Sequence, residues 1–275
     1  MLHFDLIQSI SLAGNAAAAN DDRAGAGARR AWVIDGATDL GPPGLVGAQG
    51  GAAWIAATAD HAFAAASDGR VSGVVAGVFS ALADAYQRAR HREPVGRWEL
   101  PSAAFLCVAL KQRRIEIAWL ADCACLHLRG DTVRRLGPQP SLAETQEAEA
   151  IRSAGLDLLP MRSAPTLDRL RTNRTRGERR VLGVEPGHTD AVHYDTAAIA
   201  PGDELVLMTD GLAALIDDYG VPIDAFAPLL RAEGLHGVAA RLRAIEADDA
   251  DCRRFARFKP SDDATGLWLR ITGEA

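Results

Sequence analysis

The chain has 275 residues, with 36 Asp and Glu against 30 Lys and Arg, and carries a net charge of −6 with histidines neutral. Its bases are scattered through helical stretches and form no run, which excludes a phosphate-neutralising nucleic-acid surface from the expected partners. At 48% hydrophobic and 24% charged the composition is that of an ordinary globular chain, of a length that one core can serve, so a single domain over 1–275 is expected.

In chain order, residues 4–13 predict a strand. The stretch lacks a basic n-region, carries Asp5 where a secretory leader carries positive charge, and is interrupted by Gln8, Ser9 and Ser11. The polar segment Asn15–Arg29 reads as a loop, and residues 31–35 as a second strand. Gly25-Ala26-Gly27 has neither the preceding strand nor the third glycine of a dinucleotide loop. After the Gly and Pro loop of 40–51, residues 52–67 and 71–92 predict adjacent helices, with Trp54, Phe63, Val75, Phe79, Leu82 and Tyr86 mostly at helical spacing.

Strands are expected at 103–110, 115–120, 123–128 and 132–136, forming an antiparallel meander. Residues 141–154 and 161–178 predict surface helices, the second in a segment rich in arginine (Arg162, Arg169, Arg171, Arg174, Arg176, Arg179, Arg180), a solvated face or a partner site. Strands follow at 180–182, 188–194 and 204–209, then helices at 212–216, 223–233 and 235–247, and a last strand at 264–272. This order, without regular strand and helix alternation, points to antiparallel sheet with helices layered outside.

No window approaches the roughly 18 to 20 uninterrupted apolar residues of a membrane helix, so no membrane association is expected. Cys107, Cys123, Cys125 and Cys252 form no C-x-x-C pair and read as buried thiols in a reducing cytoplasm. Lys111 and Lys259 are the only lysines, a preference for arginine that reads as coding bias.

The chemistry-bearing pattern is a set of apolar strands running into aspartate, at Ala31–Gly36, Ile117–Asp122 and Leu205–Gly211, with Asp262-Asp263 opening the last strand. Each alone is an ordinary turn signal, since Asp-Gly is a common turn pair. Converging at one sheet edge, they would repel one another unless a cation compensates. Oxygen-only ligands select hard ions such as Mg2+ or Mn2+. Two such ions about 3.5–4 Å apart activate water for in-line attack on phosphorus, which makes phosphate hydrolysis the natural reaction class.

In these residues the chain resembles the bacterial type 2C, or metal-dependent (PPM), serine/threonine protein phosphatase family. Asn20-Asp21-Asp22 stands where the family has Asn-Glu-Asp. Asp35-Gly36, Asp122, Thr209-Asp210-Gly211 and Asp262-Asp263-Ala264-Thr265 follow in the family's order, over about residues 5–272. The resemblance implies an α+β fold, a four-layer α/β/β/α sandwich of two antiparallel sheets flanked by helix pairs. It also implies hydrolysis of phosphoserine or phosphothreonine in proteins by a hydroxide bridging two Mn2+ or Mg2+ ions. Asp35 would bridge the ions, the Gly36 carbonyl would bind one, and Asp210 and Asp262 the other. Asp21 and Asp22 would contact metal directly or through water, and Asp122 with Asp210 would form a weaker third site. Asp263 would support the site through hydrogen bonds. A phosphorylated protein substrate and a kinase pathway are the partners implied.

The chain departs from the family at Ala37, where a histidine proposed as general acid is usual, and at Gly14–Ala19, which lacks the usual phosphate-binding arginine. Cys123 and Ala121 replace the serine and glycine around Asp122. These departures keep two other readings open: a metal-binding signalling module that hydrolyses poorly, and a hydrolase of small phosphate monoesters.

Overall fold

A strand flanked on both faces by other layers must be apolar on both faces, and β3 and β4 are built that way. In the computed structural model, which describes residues 1–67, 69–140, 146, 149–150, 152–153, 164–175, 180–185 and 188–274, β3 (Arg30–Gly36) turns Ala31 and Val33 to one side and Trp32 and Ile34 to the other. β4 (Ser102–Lys111) does likewise with Leu106 and Val108 against Phe105 and Cys107. Two sheets result, and every strand pair among the described residues is antiparallel. One has the order β2-β3-β4-β5-β9, with β8 paired to β4, and the other β1-β11-β10-β6-β7.

The remaining strands are β1 (His3–Leu12), β2 (Asp22–Ala26), β5 (Arg114–Leu120), β6 (Ala124–Arg129), β7 (Thr132–Leu136), β8 (Leu182–Gly183), β9 (His193–Ala198), β10 (Glu204–Met208) and β11 (Ala264–Thr272). Helices α1 (Gly51–Ala65) and α2 (Val71–Ala89) cover the β3 sheet through Phe63, Val75, Phe79 and Leu82. Helices α4 (Asp210–Asp217) and α5 (Ile223–Asp248) cover the β10 sheet through Leu212, Phe226, Leu230 and Val238. Between the sheets lies a third apolar layer including Val33, Leu106, Ile117, Leu205, Leu207 and Leu269. The four layers match the expected α/β/β/α sandwich.

Helix α5 is two helices in one. Gly234 breaks it with φ 68°, between the expected 223–233 and 235–247, and Gln8 Oε1 accepts the freed N–H of Leu235 at 2.7 Å. Glycine supplies this left-handed conformation without steric cost.

Three expectations are corrected. The loop of 15–29 contains β2, whose Gly25 lies so close beneath Trp32 that a Cβ would sit 2.3 Å from the indole. The strand expected at 188–194 is a 3-10 turn over His188–Ala191, with the strand following at His193–Ala198. The expected four-strand meander is two hairpins in different sheets, β4–β5 and β6–β7. The chain crosses between the sheets at Ala121-Asp122-Cys123, where Ala121 takes φ 63°.

Of the arginine-rich segment, α3 (Ala164–Thr175) is described. Arg171 stacks 4.4 Å above the Trp98 ring and donates to the Leu40 carbonyl at 2.7 Å, so part of this face is packed and not solvated. The helix expected at 141–154 lies largely outside the described residues. The four cysteines are free and buried, and no helix among the described residues is long and apolar enough to cross a membrane.

Candidate metal centre

The period of a strand puts Asp35 on the same side as Ala31 and Val33, toward the space between the sheets. Asp22 is its direct partner across the β2–β3 pairing. From the opposite sheet come Thr209, where β10 ends, and Asp210, which opens α4. Asp122 arrives on the crossover between sheets. At this rim the apolar inter-sheet layer gives way to carboxylates, with Cys123 buried beneath them.

Asp35, Asp122 and Asp210 each present a carboxylate oxygen, and the three oxygens lie within 4.8 Å of one another. Asp35 and Asp210 are hydrogen-bonded to each other. Asp22, 1% exposed, accepts a 2.7 Å hydrogen bond from the Thr209 hydroxyl, and that hydroxyl in turn accepts the Thr265 N–H at 3.0 Å.

Burial pushes all of these carboxyls upward, and their mutual charge adds to it. Asp21 rises from 3.8 to about 6, through burial and then Asp263 and Asp39. Asp210 rises to about 7, through burial and then Asp262 and Asp122. Burial likewise lifts Asp35, with Asp210 and Asp22 beside it. It lifts Asp22 despite the Thr209 hydrogen bond, and Asp122 despite a bond to its own backbone. Desolvated carboxylates this close are a poor arrangement for a protein alone and a good one for a hard cation, so the donor set fits the expected ions.

The two acids opening β11 divide their roles. Asp263 accepts the Gly14 N–H at 2.7 Å and the Asp21 N–H at 2.5 Å, one on each oxygen, and thereby ties the β1–β2 loop to the rim. Asp262 points its Oδ1 at the Lys259 ammonium, 2.5 Å away, while its charge is felt at Asp21, Asp22, Asp35, Asp122 and Asp210. Gly36 is needed where it stands, since a Cβ there would meet the Ala52 carbonyl oxygen at 2.6 Å and that of Asp21 at 2.8 Å. Asp39 follows on the same loop and accepts the first N–H of α1, from Gly51, at 2.7 Å.

Gly211 has the same kind of necessity. A Cβ there would lie 1.9 Å from the Asp263 carbonyl oxygen, a backbone atom that cannot yield without moving the start of β11. Gly211→Ala is expected to cost about 1–3 kcal/mol by overpacking and to weaken Mn2+ binding by displacing Asp262. Denaturant melts paired with Mn2+ titration would check both effects.

All eight residues singled out from the sequence lie at this rim. Lys259 and Asp39 also belong there, as does Thr209, and the sequence alone assigns none of the three a role in the site. Of the bases near Asn20–Asp22, Arg23 donates to the Asn20 and Asp22 carbonyls. Arg29 donates to those of Leu2 and Leu110, and Arg30 to those of Phe63 and Ala66. His61 is exposed on α1.

A family model described as Protein phosphatase 2C matches residues 16–245. Among curated proteins, none matches the sequence significantly. Among solved structures, the serine/threonine phosphatase PstP/Ppp of Mycobacterium tuberculosis superposes with TM-score 0.60 at 18% identity, over 99% of both chains. The PstP catalytic domain in complex with two manganese ions gives 0.58 at 17% identity, over 99% of this chain and 100% of that one. The serine/threonine phosphatase Stp1 of Staphylococcus aureus gives 0.56 at 14%, over 99% and 96%. At such identities the likeness speaks for the fold.

Proposed function

The chain belongs to the protein phosphatase 2C family, and from that premise we propose that it hydrolyses phosphoserine and phosphothreonine in proteins with two Mn2+ or Mg2+ ions. The observation that carries the reading is the trio Asp35, Asp122 and Asp210, three carboxylates from separate segments with oxygens within 4.8 Å. Its support from outside the chain is the manganese in the similar PstP domain.

In this reading Asp35, Asp210, Asp262 and the Gly36 carbonyl would hold the two ions. Asp21 and Asp22 act directly or through water, and Asp122 with Asp210 holds a weaker third ion. The chemistry such ions would supply is the acidification of an attacking water and the neutralisation of phosphoryl charge.

The chain's own residues orient and desolvate that centre. Thr209 fixes Asp22 by its hydroxyl, and Asp263 fixes the loop that carries Asp21. Asp22 is buried and Asp35 and Asp210 are half-buried, so water screens their charge toward the ions only in part. Ala37 donates its backbone N–H to the Ser102 carbonyl and has no proton to give a leaving alkoxide, so solvent water protonates it.

Hydrolysis of a phosphothreonine peptide and of an aryl phosphate, with Mn2+ and with chelator, tests the proposal. Mn2+-dependent turnover of the peptide supports it. Mn2+ binding without turnover would replace it with a signalling module, and turnover of the aryl phosphate alone with a small-molecule hydrolase.

A further inference from the structure

A phosphate dianion approaching this rim meets aspartates from every side, and ions held among those aspartates are partly neutralised by them. A cation that belongs to the protein and faces the open side would favour entry. The three arginines nearest in sequence, Arg23, Arg29 and Arg30, are turned to backbone carbonyls.

Lys259 is placed where they are not. Its Nζ lies 2.5 Å from Asp262 Oδ1 and 3.4 Å from the Thr38 hydroxyl, between the start of β11 and the loop that follows Asp35. An ammonium has three donors, and these contacts engage two. The side chain is 37% exposed, whereas Asp22 at the floor is 1% exposed, so Lys259 lies toward the outer side of the rim. A lysine ammonium carries a full positive charge at neutral pH, and here it stands beside the carboxylate of Asp262.

The segment that delivers Lys259 is tied down. Asp249 accepts the N–H groups of Arg253, Arg254 and Phe255 at 2.9, 2.8 and 3.1 Å, and the Arg257 guanidinium at 2.5 Å. Burial opposes that carboxylate, but these donors prevail and hold its pKa at about 2. Arg257 reaches forward to the Pro260 carbonyl at 3.1 Å, and Phe258 is buried. Lys259 is thus bracketed on both sides by anchored residues, and little ordering remains to be done when a ligand arrives.

We propose that Lys259 is the phosphate-binding cation of this site, its ammonium donating to a phosphoryl oxygen of the substrate and, afterwards, to inorganic phosphate. The assignment rests on the phosphatase reading above. It gives the chain a base for substrate phosphate from the β11 side, where the family resemblance places an arginine before Asn20.

The test is calorimetric titration of inorganic phosphate into Mn2+-loaded wild-type protein and into the Lys259→Met, Lys259→Gln and Lys259→Arg variants. Mn2+ affinity and melting temperature are measured on each. Loss of one charge-assisted hydrogen bond is expected to weaken phosphate binding about tenfold or more in the Met and Gln variants, with the Arg variant close to wild type. With an aryl phosphate, KM should rise by more than kcat falls.

Unchanged phosphate affinity in folded Met or Gln variants, with Mn2+ binding tightened, would overturn the proposal and reduce Lys259 to a counter-ion of Asp262. Failure of Mn2+-loaded wild-type protein to bind phosphate at all would overturn it together with the phosphatase reading.

Discussion

Asp210→Asn is expected to lower Mn2+-dependent kcat/KM by at least about a hundredfold, because even partners one shell outside a metal cost 10–100-fold when lost and Asp210 lies in the inner trio. The same substitution is expected to raise the melting temperature of the chelated protein. Asp210 is a half-buried carboxyl lifted to about 7 by desolvation and by Asp262 and Asp122, and a neutral side chain there removes repulsion without changing shape. Opposite signs in activity and metal-free stability are the signature of a site that keeps its charges for a ligand. Turnover and thermal melts on one preparation check both. A variant that loses activity and stability together would mark Asp210 as structural, a helix-opening residue of α4.

The second large effect is at Asp263. Its two oxygens each accept one backbone N–H, from Gly14 and Asp21, and hydrogen bonds to a charged acceptor are worth about 1.5–3 kcal/mol apiece. Asp263→Ala is expected to cost about 3–5 kcal/mol and to reduce Mn2+ affinity by releasing the loop that carries Asp21 and Asp22. Asp263→Asn keeps one acceptor and should lose roughly half as much. Denaturant unfolding of the three proteins orders them. An alanine variant as stable as wild type would remove Asp263 from its positioning role.

Much of this was legible in the sequence because local pattern and tertiary role coincide. Leu205–Met208 and Ile117–Leu120 are apolar on both faces, and such runs become central strands wherever layers cover both sides. The break in α5 was legible for a similar reason, since Gly234 interrupts two apolar helical patterns. The aspartates were legible as strand ends. Where those ends meet follows from sheet order, and the sequence order of β5 and β6 looks like a hairpin although Ala121 sends the chain to the other sheet. β2 was illegible because Asp22-Arg23-Ala24-Gly25-Ala26 has no β-branched or aromatic residue. Its pairing with β3 and the Trp32 ring over Gly25 make it a strand. Lys259 was illegible for another reason. One of two lysines in an arginine-rich chain, it gains meaning from Thr38, 221 positions away, a contact no local pattern announces.

Acid and metal compete for the same oxygens, and the direction of that competition is fixed by the raised carboxyls. Asp21 and Asp210 bind protons more tightly in the folded chain, at about 6 and about 7, than at the ordinary 3.8. Their contribution to stability is therefore fully present below about pH 4 and is lost as pH rises to about 7. In the proposed function a divalent cation would take the proton's place in that upper range. Thermal melting of chelated protein at pH 7.5, with and without Mn2+, tests the convergence of these acids most directly. With free Mn2+ at about a hundred times its Kd, binding to the folded state adds about 2.7 kcal/mol, roughly 5–10 °C for a chain of this size. The gain should shrink as the pH is lowered to 5.5. A melting temperature indifferent to Mn2+ and to chelator at pH 7.5 would contradict the metal centre itself.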